Sequence, residues 1–184
     1  MGKVKPVSPA ALIAGIFFSD EVLANKALDK MIAEYGPVFL KSETFDFTMT
    51  DYYTEEMGSN LRKCFYCFKK PIECMQLSDI KLFTNDIEME AALKTGDTIA
   101  RRVNIDPGYV TLSKLILATT KDYSHRIYIG KNIYAEVTLH FLRGTFAPFI
   151  HTYPDYQTPL SIEFFNNVRE YVKTMRSQWN RENE

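Results

Sequence analysis

Apolar positions in the N-terminal part of the chain follow first a strand pattern and then a helix pattern. Residues 12–18 are almost continuously apolar, which is typical of a strand that is covered on both faces. Ser19 predicts the N-cap of the next helix, and Gly36 followed by Pro37 predicts its end. Residues 38–47 predict a second strand, so the chain opens with strand, helix and strand. The helix stripe consists of Ala24, Ala27, Leu28, Met31, Ile32 and Tyr35.

The middle of the chain predicts one further strand and one further helix. Residues 61–69 have the composition of a strand, and residues 78–94 have helical spacing. A short strand through residues 80–82 is the alternative, and the periodicity leaves both open. The Asp-Pro-Gly sequence at 106–108 predicts a turn. Thr111 is then expected to cap a short helix.

Two alternating runs in the last third of the chain predict a β-hairpin. Its apolar faces must match, because a slip of one residue would expose the core side to water. The matching register places Tyr128 opposite Tyr134 and Arg126 opposite Glu136, with residues 130–132 as the loop. The polar face of this hairpin is therefore predicted to carry an arginine–glutamate ion pair flanked by two tyrosines.

The C-terminal segment predicts a long helix that starts at Thr158 and Pro159, a favourable N-cap followed by proline at the first helical position. No linker divides the sequence, so we predict a single domain over residues 1–184, with flexible ends at 1–9 and 180–184. The predicted fold class is α+β, with a mainly antiparallel sheet, a β-α-β start and a C-terminal helix packed on the sheet.

Charge and cysteine content narrow the range of partners. The formal net charge of −1 argues against binding to duplex nucleic acid, which requires a strongly basic face. Cys64, Cys67 and Cys74 are an odd number of cysteines, which suits a reducing compartment better than a disulfide framework. The apolar run near the N-terminus is shorter than the roughly 20 residues that span a bilayer. We therefore expect a cytoplasmic protein without a membrane partner.

Two motifs that suggest specific chemistry have simpler interpretations. Cys64 and Cys67 form a C-x-x-C sequence, but no second pair completes a zinc site. Asp122, Ser124 and His125 have the residue types of a hydrolase triad, yet neighbouring residues rarely adopt that geometry. A G-x-x-x-x-G-K-[ST] phosphate loop does not occur in the sequence. We interpret the cysteines as core residues, and His125 as a candidate acid, base or ligand-binding group.

Polar residues of unusual types are concentrated at 51–56, 101–109 and 121–126, and residues 153–156 are a candidate fourth segment. Carboxylates beside lysine, arginine and tyrosine suit a phosphorylated or nucleotide-like small molecule, and Asp or Glu oxygens suit Mg²⁺. The alternative is that these residues form solvated loops and cross-strand pairs, each contributing under about 1 kcal/mol. The sequence leaves open whether the segments converge.

Eight residues of these segments and of the hairpin are the candidate site residues. The carboxylates are expected to hold a metal such as Mg²⁺ or to act as a base, the cationic side chains to hold anionic oxygens, and the histidine to move protons. The catalytic candidates are Asp106, His125 and Glu136, and the ligand-binding candidates are Asp51, Tyr53, Glu55, Lys121 and Arg126.

Several of the same segments carry a resemblance to a known family. They include GIFFS at 15–19, TDYY at 50–53, RVNIDPGY at 102–109, TKDYSHRIY at 120–128 and TYPDY at 152–156. With them, nearly the whole chain resembles a prokaryotic family of uncharacterised proteins, catalogued as a domain of unknown function. Some members carry an automatic "GTP-binding protein" label, whose required motifs are missing from this sequence. The resemblance implies no activity and no functional residues.

The leading hypothesis is therefore binding or turnover of a phosphorylated or nucleotide-like small molecule. One alternative is a non-catalytic interaction module, as a homo-oligomer or bound to another cytoplasmic protein, because 11 tyrosines and 13 phenylalanines suffice for an aromatic interface. A weaker alternative is RNA binding through tyrosine stacking beside Arg101 and Arg102.

Overall fold

The computed structural model describes residues 2–3, 6–49, 54–58, 60–95 and 98–183, without the side chains of residues 54, 55, 94, 95, 98, 182 and 183. The strands are β1 (Ala10–Phe18), β2 (Val38–Lys41), β3 (Phe45–Asp46), β4 (Arg62–Ile72), β5 (Leu93–Thr95), β6 (Thr98–Ala100), β7 (Val103–Val110), β8 (Lys114–Thr119), β9 (Ile127–Gly130), β10 (Ile133–Leu142) and β11 (Thr145–Pro148). The helices are α1 (Glu21–Tyr35), α2 (Thr54–Met57), α3 (Leu77–Ala91) and α4 (Pro159–Asn183), with 3₁₀ turns at Cys74–Gln76 and Pro154–Tyr156.

One antiparallel sheet of nine strands organises the fold. Its order is β11-β10-β8-β7-β1-β4-β2, with β3 also paired to β4 and β9 to β10, while β5 and β6 form a separate two-stranded ladder. The paired strands run antiparallel throughout. This architecture confirms the predicted α+β class, the strand–helix–strand start and the C-terminal helix on the sheet.

The central strand β1 is buried on both faces of the sheet, which explains its continuous apolar sequence. Leu12 and Ile16 pack in a core with α1 and α3. Ala11 and Ile13 point the other way and pack in a second core against Phe165 and other residues of α4. The sheet is thus the middle layer of three, with α1 and α3 on one face and α4 on the other.

The ends of the helices differ from the prediction at the start of α1 and at the C-terminal ends of α3 and α4, and α3 ends at Ala91 because residues 93–95 form β5. The N-cap of α1 is Asp20 rather than Ser19, because the Asp20 carboxylate accepts the backbone N–H groups of Val22 at 2.9 Å and Leu23 at 3.3 Å. Helix α3 confirms the helical interpretation over the alternative short strand. Helix α4 runs through residues 180–183, part of the end that the sequence predicts to be flexible. Among the described residues, no helix combines the length and apolarity needed to cross a membrane.

Two predictions in the middle of the chain are wrong. The Asp-Pro-Gly sequence at 106–108 lies inside β7 instead of forming a turn, because β1 pairs along the whole of it. The helix expected after Thr111 is strand β8: Leu115 and Leu117 face the α4 core, whereas Ile116 faces the opposite side. A short apolar run fits both structures, and burial on both faces selects the strand.

The predicted strand at 38–47 is divided into β2 and β3, which both pair with β4. The predicted hairpin register is confirmed, since Tyr128 pairs with Tyr134. Its loop is shorter than expected because Gly130 pairs with Ile133. The two residues between them, Lys131 and Asn132, have positive φ angles of 56° and 58°, as a tight two-residue loop requires.

Gly108 is the position at which backbone packing tolerates no side chain, and this gives a test of the sheet. A Cβ atom there would lie 2.2 Å from the carbonyl oxygen of Ile116 on β8. We expect Gly108→Ala to lower the free energy of unfolding by roughly 1–3 kcal/mol, because the two strands must move apart. Urea denaturation measures the effect. Gly2→Ala is the control, since a Cβ at Gly2 contacts nothing within 4 Å, and equal stability of the two variants would contradict the close approach of β7 and β8.

Candidate functional site

Strands β7 and β8 pair over only three residues and then separate. Their register joins Gly108 to Leu117, Tyr109 to Ile116 and Val110 to Leu115. Beyond Gly108, β7 continues along β1, whereas β8 beyond Leu117 continues along β10. Residues of both diverging segments line a cavity of about 520 Å³.

The lining of this cavity combines charges of both signs with aromatic surface. Its described cationic residues are Lys63, Lys81, Arg101 and Lys121, its acidic residues are Glu88, Asp106, Glu136 and Asp155, and its aromatic residues are Phe17, Phe47, Tyr153 and Tyr156. They come from β1, β4, α3, β7, β10, the segments beside them and the 3₁₀ turn before α4. The cavity therefore lies where the sheet separates, beside the start of α4.

Two buried side chains of α3 replace the missing strand beside β7. Glu88 accepts the backbone N–H of Ile105 at 2.8 Å, and Lys81 donates to the carbonyl oxygen of the same residue at 2.9 Å. Their own charged groups lie 3.7 Å apart. Burial raises the pKa of Glu88, although the nearby Lys81 charge and the hydrogen bond from Ile105 oppose the increase. The backbone N–H and carbonyl groups of Ile105 at the unpaired edge of β7 are thus hydrogen-bonded by two charged side chains, which are buried inside the protein.

Lys63 of β4 lies at the inner end of the cavity. Its ammonium group donates to Asp155 at 2.6 Å and lies 3.5 Å from an oxygen of Asp106. A Cβ at Gly15 would be 2.9 Å from Lys63 Cε, so glycine is needed where this side chain passes β1. The ammonium lies within 5.6 Å of the ring centres of Phe17, Phe47, Phe65 and Tyr156, close enough for cation–π attraction.

Glu136 of β10 is a buried carboxylate that lines the cavity and contacts two side chains outside the lining. Arg126 donates to Glu136 at 2.8 Å, and His125 Nε2 lies 3.2 Å from the same oxygen. Arg126 also donates to the Tyr153 hydroxyl at 2.7 Å, and His125 stacks on His151 with 4.2 Å between ring centres. Burial raises the pKa of Tyr153 despite the opposing Arg126 charge. Arg126 and His125 therefore contact the cavity lining without belonging to it.

A hydrogen-bond chain connects helix α2 to Asp106. Arg101 donates to both carboxylate oxygens of Glu56 at 2.6 Å and to the Asn104 side chain at 2.6 Å. Asn104 in turn donates to Asp106 at 3.1 Å. The hydrogen bond from Arg101 is the largest cause that lowers the pKa of Glu56. This hydrogen-bond chain ends on Asp106 Oδ1, whereas Lys63 approaches the other carboxylate oxygen, Oδ2.

The structure brings together five of the eight sequence candidates. Asp106, Lys121 and Glu136 line the cavity, and His125 and Arg126 contact Glu136. Asp51 and Tyr53 lie outside the described residues, and so does the side chain of Glu55. The cross-strand alternative is also correct for Arg126 and Glu136, which form the predicted ion pair.

The sequence interpretation missed Lys63, Lys81 and Glu88. The alternation of Lys63 with Phe65 and Cys67 along β4 was the available signal, because residues two apart on a strand share a face. For the other two, the signal was a spacing of seven residues, which places both on one side of α3. Neither pattern shows which groups these side chains meet.

Metal binding is not supported by a ready cluster of ligands. In the described part of the chain, no group of three or more His, Cys, Asp or Glu side chains is arranged to hold a metal ion. Asp106 is the cavity carboxylate with the most exposed side chain among those whose ion pairs are described. A cation such as Mg²⁺ would therefore need oxygen ligands from a bound molecule in addition to Asp106.

The fold and the cavity together define a three-layer α+β protein with a charged, partly aromatic internal site. The chain belongs to the family of a domain of unknown function, DUF4416, whose model matches residues 8–171. All of the described cavity residues lie within the matched segment. No curated protein and no solved structure matches the chain. The family resemblance expected from the sequence is thus confirmed. The function of the protein is inferred below from the geometry of the cavity.

The buried Lys63–Asp155 pair gives a prediction about stability. The two side chains are only 2% and 4% exposed, so Lys63→Ala leaves a carboxylate without its counter-charge in the interior. We expect a loss of about 3–5 kcal/mol in the free energy of unfolding, measured by urea denaturation.

A lysine–glutamate ion pair on the surface with the same N···O distance is the matched control for this measurement. Lys173 and Glu170 also approach to 2.6 Å, but their side chains are 48% and 63% exposed. Lys173→Ala should therefore cost less than about 1 kcal/mol. Equal losses in the two variants would show that burial of the Lys63 pair is not the deciding factor.

The raised pKa of Glu88 predicts how stability changes with pH. An acid whose pKa is higher in the folded state than its usual value of 4.5 binds a proton more readily when folded. Wild-type stability relative to Glu88→Gln is therefore present at low pH and is lost as pH rises above 4.5 through the folded pKa. Urea denaturation at a series of pH values measures the difference. A wild-type advantage that grows with pH would contradict this sign, and Glu170→Gln controls for removal of an exposed carboxylate.

Proposed function

We propose that the protein binds a phosphorylated or nucleotide-like small molecule in the cavity between β7 and β8. The observation that carries the proposal is a single cavity in which cationic side chains and apolar aromatic surface occur together. Its volume of about 520 Å³ falls within the usual range of small-molecule sites. Ligands with a ring and an anionic group require both kinds of surface.

The aromatic part of the cavity supports contact with a ring. Phe17 and Phe47 stack on each other with 5.0 Å between ring centres and 14° between planes, and both line the cavity with Met49. Stacked aromatic side chains offer flat apolar surface to a base or a sugar ring. Phe47 is held in place because it packs with Met57 and Leu61 beside Phe17.

The cationic part supports contact with a phosphate. Lys121 is an exposed lining residue of the cavity and lies beside Thr119 and Thr120, which also line it. Thr119 accepts the backbone N–H of Lys121 at 3.2 Å, which orients this turn. Charge-assisted hydrogen bonds from lysine to phosphate oxygens are among the stronger polar contacts in proteins. Lys121 is accordingly the proposed phosphate contact.

Turnover of the ligand is an extension of this proposal. Asp106 and Glu136 are lining carboxylates that would act as base or hold Mg²⁺ together with oxygens of the bound molecule. His125 contacts the lining carboxylate Glu136 and is not itself a lining residue, so its role would be to orient that carboxylate. The three free cysteines are consistent with a reducing, cytoplasmic location for such a protein.

Thermal unfolding against nucleoside phosphates, sugar phosphates and inorganic phosphate, each with and without Mg²⁺, tests the proposal. A ligand at 100 times its dissociation constant should add about 2.7 kcal/mol to the free energy of unfolding. Lys121→Ala should weaken the binding by about tenfold or more, because a charged hydrogen bond is lost. Lys173→Ala is the control lysine on the exposed side of α4. The absence of any stabilising compound in the panel would contradict the proposal.

A non-catalytic interaction module is the second candidate. On β9, the adjacent residues Ile127 and Tyr128 are 70% and 57% exposed, so they offer apolar and aromatic surface to a partner. Mass measurement in solution would detect a homo-oligomer that uses this strand. The RNA alternative is weakened because Arg101, which it needs on the surface, is held by Glu56.

A further inference from the structure

The side chain of Tyr156 is buried at the inner end of the cavity without a hydrogen-bond partner. Its residue is 1% exposed and lines the cavity. Within the part of the chain that the structure describes, nothing accepts from or donates to its hydroxyl group. Buried hydroxyl groups are nearly always hydrogen-bonded, because removing one from water without compensation is costly. The hydroxyl of Tyr156 is therefore a candidate hydrogen-bond partner for a molecule bound in the cavity.

The position of this hydroxyl is fixed by the surrounding packing. A Cβ at Gly15 would lie 3.0 Å from Tyr156 Oη and 2.9 Å from Lys63 Cε, so both side chains meet over the same glycine. The ring of Tyr156 also lies 4.5 Å from the Lys63 ammonium and stacks on Phe165 with 13° between planes. The hydroxyl is therefore held at the inner end of the cavity and not at the protein surface.

The charges around Tyr156 decide which ligand group fits. Burial, followed by the negative charges of Asp106, Asp155 and Glu136, raises the pKa of Tyr156 well above its usual value, so the hydroxyl keeps its proton. Lys63 is the cavity cation in contact with these groups, and it is already bound to two of the carboxylates. A phosphate here would face three carboxylates, and a ligand ammonium group would lie beside the like charge of Lys63.

A neutral hydroxyl group of the ligand can form hydrogen bonds with both Tyr156 and Asp106. It can accept a hydrogen bond from the Tyr156 hydroxyl and donate one to the partly exposed Asp106 carboxylate, whose hydrogen bonds among the described residues come from Asn104 and, at 3.5 Å, from Lys63. We propose that the ligand is a phosphorylated polyol such as a sugar phosphate, with a hydroxyl bound by Tyr156 and Asp106 at the inner end and its phosphate at Lys121. This inference rests on the proposed function and specifies its substrate class and orientation.

Tyr156→Phe tests the inference in the free protein first. Because the wild-type hydroxyl has no partner to lose, the urea midpoint of Tyr156→Phe should be equal to or higher than that of the wild type. Tyr171→Phe is the matched control, since the Tyr171 hydroxyl donates to the Lys69 carbonyl oxygen at 2.6 Å and its removal should lower the midpoint. A lowered midpoint for Tyr156→Phe would overturn the inference, because the hydroxyl would then have a partner without ligand.

Binding of two probes tests the ligand class. Ribose 5-phosphate and inorganic phosphate are titrated by calorimetry into wild type, Tyr156→Phe and Lys121→Ala. We expect Tyr156→Phe to weaken the binding of ribose 5-phosphate between about twofold and tenfold, because one neutral hydrogen bond is lost. Lys121→Ala should weaken the binding of both probes. Equal ribose 5-phosphate binding by wild type and Tyr156→Phe would overturn the hydroxyl contact while the phosphate site stands. Binding of neither probe to wild type would overturn this inference, and it would overturn the proposed function as well when no nucleoside phosphate of the thermal panel stabilises the protein.

Discussion

The separation of β7 from β8 beyond Gly108 is the constraint on which the rest of the site depends. A strand that loses its neighbour inside a protein leaves backbone donors and acceptors that must be satisfied. At Ile105 the protein uses Lys81 and Glu88 for this purpose, so the gap in the sheet brings charged side chains into the interior. Arg101 then lies 3.4 Å from the second oxygen of Glu88. The ion-pair network is a consequence of the open sheet and not an independent addition to it.

The local sequence explains why the strands separate where they do. Pro107 has no N–H to donate to a neighbouring strand, so it marks a natural limit of the β7–β8 ladder. Gly108 permits the closest approach of the two strands immediately before they part. The same Asp-Pro-Gly sequence is a strong turn signal when only neighbouring residues are considered. It fails as a turn predictor here because β1 pairs with residues on both sides of it.

Periodicity predicted the elements that depend on local pattern, including β1, α1, α3, the hairpin and α4. The hairpin register also predicted the contact of Arg126 with Glu136, since two adjacent strands fix that geometry. The inner end of the cavity was beyond such reasoning. Lys63 and Asp155 are separated by 92 positions, and only the placement of β4 beside β1 and of the 3₁₀ turn above them brings the two together. A single sequence carries no signal for a contact of that kind.

The cavity charges that do not serve the open edge of β7, such as Lys63 and Asp155, are not explained by the stability of the fold. A buried ion pair seldom stabilises a protein more than apolar residues of the same volume would, because both charges lose their hydration. Ionisable side chains with a raised pKa in a cleft, here Tyr153 and Tyr156, are instead typical of functional sites. Exposure also decreases from Lys121 at the rim to Lys63 at the inner end. Water screens a ligand charge at the rim but not inside, so a molecule with an anionic group at one end and neutral hydroxyl groups at the other fits this gradient without carrying its charge into the interior.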